Sequence, residues 1–371
     1  MLEFMCCGGV NNTYPVLLNG GLIMKAAILY EHSEIEVEGV PRRYPNLPLK
    51  KDPLELVDVE VPVPGDGQVL IRVEACGVCY TDVDVVEGRV SCKLPLIPGH
   101  QIIGRVVDFG PNVEGLVRGV RVGIAWVGKT CGSCHYCRVG LENLCPGFRG
   151  TGCDLDGGYA EFTVAYADYT YLVPDNVDAV SLAPLMCAGA IGYRALKLTN
   201  MVDGLRLGLF GFGSSAHIVI QIARYLYPSS EIYVFTRSKE HQELAKRLGA
   251  DWVGSPYDTP PKPVDRAIDF TPSGEVVSRA LEVLARGGKL VVNVIRKQTP
   301  INLTYEKHLW FEKEVRSVAN ITRNDVRELL EIIKRKPVEI HVEEYRLDQV
   351  NEVLRKLKAA KIKGSAVLRI S

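Results

Sequence analysis

Hydrophobic positions change their rhythm twice along the chain. Between Met24 and about Asn176, short apolar or alternating runs are broken by Gly and Pro. Examples are Lys25–Tyr30, Val69–Ala75, Ile103–Phe109 and Ala160–Ala165. Runs of this length between turn formers predict strands of a mainly β domain. From about Asp178 to Ala319 strand and helix patterns alternate. Arg206–Phe210 and Glu231–Phe235 read as buried strands, and Ala216–Leu226 and Lys239–Leu248 as the helices that follow them. Arg266–Phe270, Val276–Ala285 and Lys289–Ile295 continue the series. This alternation predicts a doubly wound α/β domain, a parallel sheet with helices on both faces. After Asn320, helices over Arg323–Lys334 and Leu347–Lys358 precede a closing strand at Ala366–Ile370. We expect that tail to return to the first domain. The expected division is then 24–176 with 320–371, and 177–319 between them. Met24-Lys25-Ala26 looks like a domain start, which leaves 1–23 as an N-terminal extension.

Length and charge narrow the picture. A chain of 371 residues suits two domains at roughly 150 residues each. Its 44 basic and 44 acidic side chains cancel, so it lacks the electrostatic footprint of a nucleic-acid binder. It also lacks a polybasic segment for a membrane surface. The most apolar stretch, Leu205 to Ala223, is interrupted by Arg206, Ser214, Ser215 and His217, and falls short of a membrane span. The only charge ahead of the first apolar run is Glu3, which is not the pattern of a secretory signal. These features place the protein in the cytoplasm, where its eleven cysteines are expected to hold metal rather than to form disulfides.

Four of the cysteines form a compact series: Cys131, Cys134, Cys137 and Cys145. Four thiolates suit a tetrahedral zinc with a closed shell, which stabilises a loop and does no chemistry. An iron–sulfur cluster and four reduced thiols are the alternatives. Cys79, His100 and Cys187 are far apart in sequence, but each lies beside Gly or Pro in a turn-prone segment. Two thiolates and one imidazole would leave a fourth zinc position open, as in a catalytic site. Taken singly, each cysteine also fits a small buried hydrophobe. Between a strand and a helix stands Gly211-Phe-Gly213-Ser214-Ser215-Ala216. The first Gly permits a tight turn, the second admits a pyrophosphate close to the backbone, and Ala216 lets helix and strand approach. The helix N-terminus then faces the phosphates of a dinucleotide.

Together these motifs resemble the zinc-dependent medium-chain alcohol dehydrogenases, from Met24 to the end of the chain. The strongest likeness lies in Gly77-Val-Cys-Tyr-Thr-Asp82, Pro98-Gly-His100, Gly119 through Cys145, Gly157-Gly-Tyr-Ala-Glu161 and Leu185-Met-Cys-Ala-Gly189. The resemblance implies a GroES-like mainly β catalytic domain and a Rossmann domain. It implies catalytic zinc on Cys79, His100 and Cys187 and structural zinc on Cys131, Cys134, Cys137 and Cys145. It also implies a nicotinamide cofactor, a small alcohol, aldehyde or ketone as substrate, and a dimer or tetramer. Thr81 matches the hydroxyl that passes on the substrate proton, and Asp82 the carboxylate that orients the histidine ligand. Arg323 resembles a residue near the cofactor.

Three positions depart from the family pattern. Gln101 stands where Glu usually follows the ligand histidine. Asp84 stands where a His often extends the proton relay, and a carboxylate is a weak acceptor at neutral pH. Ser365 replaces a basic residue after Gly364. Gln101 and Asp84 keep open a catalytically weak nucleotide-binding relative. The Cys and His set argues against a zinc-independent quinone or enone reductase of the same superfamily. Selectivity between nicotinamide cofactors is read at the end of the second Rossmann strand. NAD-selective domains usually place Asp or Glu there to bond the ribose. This chain has Thr236, Arg237 and Ser238, which can donate to a 2′-phosphate. NADP(H) is therefore expected over NAD(H). Trp126, Trp310 and Phe311 are expected in core packing, with a substrate pocket as the alternative.

Overall fold

The computed structural model describes residues 22–371, so the sequence-based extension 1–23 lies almost wholly outside the described residues. Strand β1 (Ile23–Ile28) pairs antiparallel with β2 (Glu55–Glu60). A larger sheet forms around β3 (Gln68–Val78), flanked by β4 (Gln101–Phe109), β5 (Arg121–Ile124), β6 (Phe162–Tyr166) and β7 (Thr170–Leu172). The run expected at Val69–Ala75 extends three residues further, because β3 is buried along most of its length and has partners on both edges. At its end Cys79 caps helix α1 (Tyr80–Val86): Cys79 N–H donates to the Asp82 carboxylate and the Cys79 sulfur accepts from Thr81 N–H. This reciprocal box fixes where the chain leaves the sheet.

Helix α2 (Ala188–Leu198) leads into the second lobe. There β8 (Leu207–Phe210), helix α3 (Ser214–Leu226), β9 (Ile232–Phe235), helix α4 (Lys239–Arg247), β10 (Trp252–Gly254), β11 (Val264–Asp269), helix α5 (Gly274–Val283), β12 (Leu284–Val292) and β13 (Glu314–Ser317) follow in order. The strands form a parallel sheet in the order β10-β9-β8-β11-β12-β13. This is the expected Rossmann arrangement, with β8 near the middle and its fully buried residues reading as one apolar run. The helix expected to run to Ala285 stops at Val283, because Leu284 turns to extended backbone and starts β12. Two short strands, β10 and β13, escaped the pattern; β13 is exposed at all four positions and shows no buried periodicity.

Helix α6 (Arg323–Arg335) packs on α2 and puts Val326, Leu329, Leu330 and Ile333 into the core shared by both lobes. The chain then crosses back. Strands β14 (Val342–Arg346) and β15 (Ser365–Arg369) are parallel to one another, with helix α7 (Val350–Lys358) between them. Strand β15 lies antiparallel to β3, so the C-terminal segment completes the sheet that the N-terminal lobe began. Two of the three aromatic residues expected in core packing are on the surface. Trp310 is 53% and Phe311 45% exposed. The turn before β13 carries Phe311 and Glu312 at left-handed φ, and this throws the ring outward, where the Arg286 guanidinium lies 4.1 Å above it.

Candidate active site and metal centres

Each member of the buried cluster sits where a regular element begins. Cys79 is the N-cap of α1, His100 directly precedes β4, and Cys187 precedes α2. Their ligand atoms all lie within 4.8 Å of one another, and the two sulfurs are 4.0 Å apart. Zinc–sulfur bonds of about 2.3 Å in a tetrahedron separate sulfurs by about 3.8 Å, so the set fits one zinc ion. It is too wide for a disulfide.

The surroundings fix the donors. His100 Nδ1 lies 3.2 Å from the Asp82 carboxylate, which leaves Nε2 for a metal. Asp82 is fully buried and also accepts from Cys79 N–H at 2.7 Å and from the Tyr159 phenol at 2.8 Å. Burial opposes a charge on His100, but Asp82 and Cys79 outweigh it and push the imidazole up to about 10. A cation in the cluster would take that proton's place. Cys79 is held well below the usual thiol range, chiefly by the hydrogen bond from Cys187, whose own thiol is raised. The Trp126 ring meets His100 edge-on at 4.9 Å and walls the cluster. Thr81 is half-buried, with its hydroxyl 3.5 Å from the Cys79 sulfur.

Tyr159 was not singled out from sequence, although it lies in Gly157-Gly-Tyr-Ala-Glu161. The signal was in the glycines around it. A Cβ on Gly157 would fall 2.0 Å from the Gly99 carbonyl oxygen, and one on Gly99, at φ +95°, would fall 2.5 Å from the Tyr159 ring. Bare backbone here lets 157–159 hydrogen-bond to 97–99 and brings the phenol beneath Asp82.

The four-cysteine lobe is equally well formed. Sulfur separations are 3.5 Å for Cys131–Cys145, 3.6 Å for Cys134–Cys137 and 3.9 Å for Cys131–Cys137. These distances fit a closed tetrahedral zinc site. Backbone N–H groups of Ser133 and Cys134 pull the Cys131 thiol down to about 6. Two other cysteines overturn the expectation that all are reserved for metal: Cys92 and Cys153 form a disulfide. Their spacing resembles neither metal set, and only the fold brings the two loops together.

The glycine loop follows β8 as expected. Gly211 has φ +84°, Gly213 caps α3, and an added side chain at Gly213 would meet open space. Ala216 is fully buried behind Ser214 and Ser215. Ser365 stands at this helix terminus, its hydroxyl 2.5 Å from that of Ser214. Thr236 is buried at the end of β9, Arg237 is exposed, and Ser238 caps α4 by accepting from His241 N–H. Arg323 pairs with Glu142 at 3.3 Å and stacks over Tyr169. Asp84 makes no hydrogen bond to Thr81; its carboxylate meets Arg89 at 2.5 Å and Arg296 at 2.7 Å. Gln101 is buried with its side chain over Gly77.

Residues 65–175 match the alcohol dehydrogenase GroES-like domain, and residues 216–335 match the zinc-binding dehydrogenase domain. A probable alcohol dehydrogenase, AdhA, of Mycobacterium tuberculosis is 45% identical over 329 residues, covering 87% of this chain and 94% of its own. The chain belongs to the zinc-binding medium-chain alcohol dehydrogenase family. Another family member, the NAD-dependent alcohol dehydrogenase of Sulfolobus acidocaldarius, is 35% identical over 341 residues, 86% of this chain and 97% of its own. The crystal structure of the Aeropyrum pernix alcohol dehydrogenase superposes with a TM-score of 0.80 at 27% identity, over 93% of this chain and 99% of that one. Family membership makes the protein an oxidoreductase of a zinc-binding, nicotinamide-dependent dehydrogenase family. Among the described residues no single helix of this dehydrogenase is long and apolar enough to cross a membrane.

Proposed function

We propose that the protein is a zinc-dependent dehydrogenase interconverting alcohols and aldehydes or ketones, with one catalytic and one structural zinc per chain and a preference for NADP(H). The observation that carries this reading is the three-donor cluster of Cys79, His100 and Cys187, beside a second, four-donor cluster. Bound zinc would supply Lewis acidity at the substrate oxygen, and the nicotinamide would accept or return hydride. The chain's own work is positional. Asp82 and Tyr159 orient His100, and Thr81 accepts the substrate hydroxyl proton by hydrogen bond. The helix N-terminus at Gly213–Ala216 cradles the pyrophosphate. Zinc counts on the purified protein, with turnover of an alcohol and aldehyde panel, test this reading. A single zinc per chain, or no turnover with two, would refute it.

The cofactor preference rests on Thr236, on exposed Arg237, which has no ion-pair partner among the described residues, and on Ser238. Charged hydrogen bonds of about 1.5–3 kcal/mol correspond to a preference of roughly ten- to hundredfold. Thr236→Asp should weaken NADP(H) and spare NAD(H). The measurement is kcat/KM with each cofactor and one substrate. Preference of the unaltered protein for NAD(H), the cofactor in the Sulfolobus relative's name, would overturn it.

We divide the chain into 24–176 with 320–371 and 177–319, a reading supported by the return of β15 to β3. We read the protein as a homo-oligomer. Strand β13 is a bare sheet edge with every residue exposed, beside Trp310 and Phe311, and edges of this kind pair with another chain unless blunted. Sedimentation velocity would detect the assembly. Residence in the cytoplasm suits six free cysteines in metal sets, whereas the Cys92–Cys153 disulfide runs against a reducing compartment.

A further inference from the structure

Arg296 and Lys297 are neighbours in the segment after β12, and their side chains hold opposite lobes. Lys297 pairs with Asp269 and donates to the Thr271 carbonyl at 2.5 Å. Asp269 ends β11 beside Phe210, immediately before the glycine loop, and a Cβ on Gly211 would fall 2.9 Å from Thr271 Cγ2. Lys297 thus bolts the segment to the nucleotide side. Arg296 reaches the other way, to Asp84 Oδ1 at 2.7 Å across 212 residues of sequence. Asp84 lies one turn beyond Thr81 on α1 and is 2% exposed. The same oxygen meets Arg89, which continues to Glu87 at 2.9 Å and to the Tyr44 hydroxyl at 2.9 Å. Glu87 is in turn paired with Lys358 of α7 at 2.7 Å. Asp84 is therefore a rooted anchor in the metal-binding lobe. Burial raises its carboxyl above the ordinary value, against the pull of Arg89 and Arg296.

These two contacts bracket the space between Thr81 and Gly211, where a nicotinamide must lie if the dehydrogenase reading above is right. We propose that the Arg296–Asp84 pair is a strap across the cofactor cleft, and that its opening sets the rate at which the nicotinamide cofactor leaves. Asp84 is then a positioning residue that holds the strap, not the outer member of a proton relay. Lids of this kind often limit turnover through product release. Arg296 keeps 38% of its side chain exposed, so the pair is weaker than a buried one and can open without unfolding either lobe.

The test is stopped-flow release of reduced cofactor from the zinc-loaded protein, followed by nicotinamide fluorescence. Arg296→Gln should speed release about two- to fivefold, the scale of a partly exposed charge pair. Asp84→Asn should do the same, and the double variant should add nothing further, because both members act through one contact. The pH profile of the single-turnover hydride step should be unchanged in Arg296→Gln. Unchanged release in Arg296→Gln, or factors that multiply in the double variant, would overturn the strap. So would an altered pH profile in Asp84→Asn alone, which is the signature of a relay. If Asp84→Asn fails to fold, the exposed Arg296→Gln still decides the matter. Absence of any cofactor binding by the unaltered protein would bring down the dehydrogenase reading and the strap with it.

Discussion

The two cysteine clusters use similar donors and are built on opposite principles. The outer lobe takes four sulfurs from one short stretch, Cys131 to Cys145, and three of the four are exposed or half-exposed. Its spacing is local, so little chain must be ordered to assemble it. The inner cluster takes three donors from the starts of three elements in distant parts of the chain, and lies behind Trp126, Asp82 and Tyr159. A metal in the outer lobe would hold that lobe together. In the inner cluster the fold holds the three donors, which would leave a tetrahedral metal one position for substrate. The outer lobe is nevertheless tied to the rest. Glu142 accepts from Arg323 N–H at the start of α6, and Asn143 donates to the Ala319 carbonyl.

The largest expected effect separates the two. Cys79→Ala should cost at least about a thousandfold in kcat, the scale of a lost Lewis acid, and one zinc per chain, with little change in Tm. Cys134→Ala should do the reverse. It should lose the other zinc and about 3 kcal/mol of stability, or roughly 6–12 °C in Tm, while the remaining folded protein turns over near the normal rate. Thermal melts with zinc counts on both variants check this, and equal loss of stability would erase the distinction.

A comparison of acid sensitivity needs a background that belongs to neither cluster. His217, at the start of α3, supplies it. Burial lowers its imidazole to about 4, with Nδ1 donating to the Gly213 carbonyl and Nε2 facing His341 N–H. The folded state therefore keeps His217 neutral while the unfolded chain takes up a proton below about 6.5. Its contribution is present above pH 6.5 and is lost as pH falls toward 4, on the order of 3 kcal/mol. Urea melts across that window should show the loss, and His217→Gln should flatten it. The smallest effect concerns the inner cluster alone. Tyr159→Phe should speed zinc loss to a chelator about tenfold, the low end for an outer partner of a ligand, and leave the outer lobe's zinc in place.

Much of this was legible in sequence, for reasons that differ by element. The parallel sheet could be read because its strands are buried on both faces and appear as apolar runs. Strand β13 could not, because every side chain is exposed. The outer lobe was legible from spacing, and the inner cluster from the glycine and proline setting of its donors together with the family likeness. Tyr159, Arg296 and the Cys92–Cys153 bond were not legible. Each acquires its partner only in three dimensions, across 77, 212 and 61 residues of sequence.

The Cys92–Cys153 bond has a consequence for the order in which the molecule is made. It closes a covalent ring that contains His100 and all four cysteines of the outer lobe, so most of the metal-binding chain stays tethered even when the fold opens. The same chemistry is a hazard on the way there. Nine described cysteines are present, and a nascent chain that meets oxidant first can join any accessible pair. If the two clusters hold zinc as proposed, a chain that meets zinc first would have six of those sulfurs occupied as thiolates, and Cys76 is wholly buried once the sheet has formed. Among the described residues only Cys92 and Cys153 then remain to find each other. On the proposed zinc sites, metal supply would then edit oxidation, and zinc starvation during synthesis should appear as wrongly paired protein, not merely as empty enzyme.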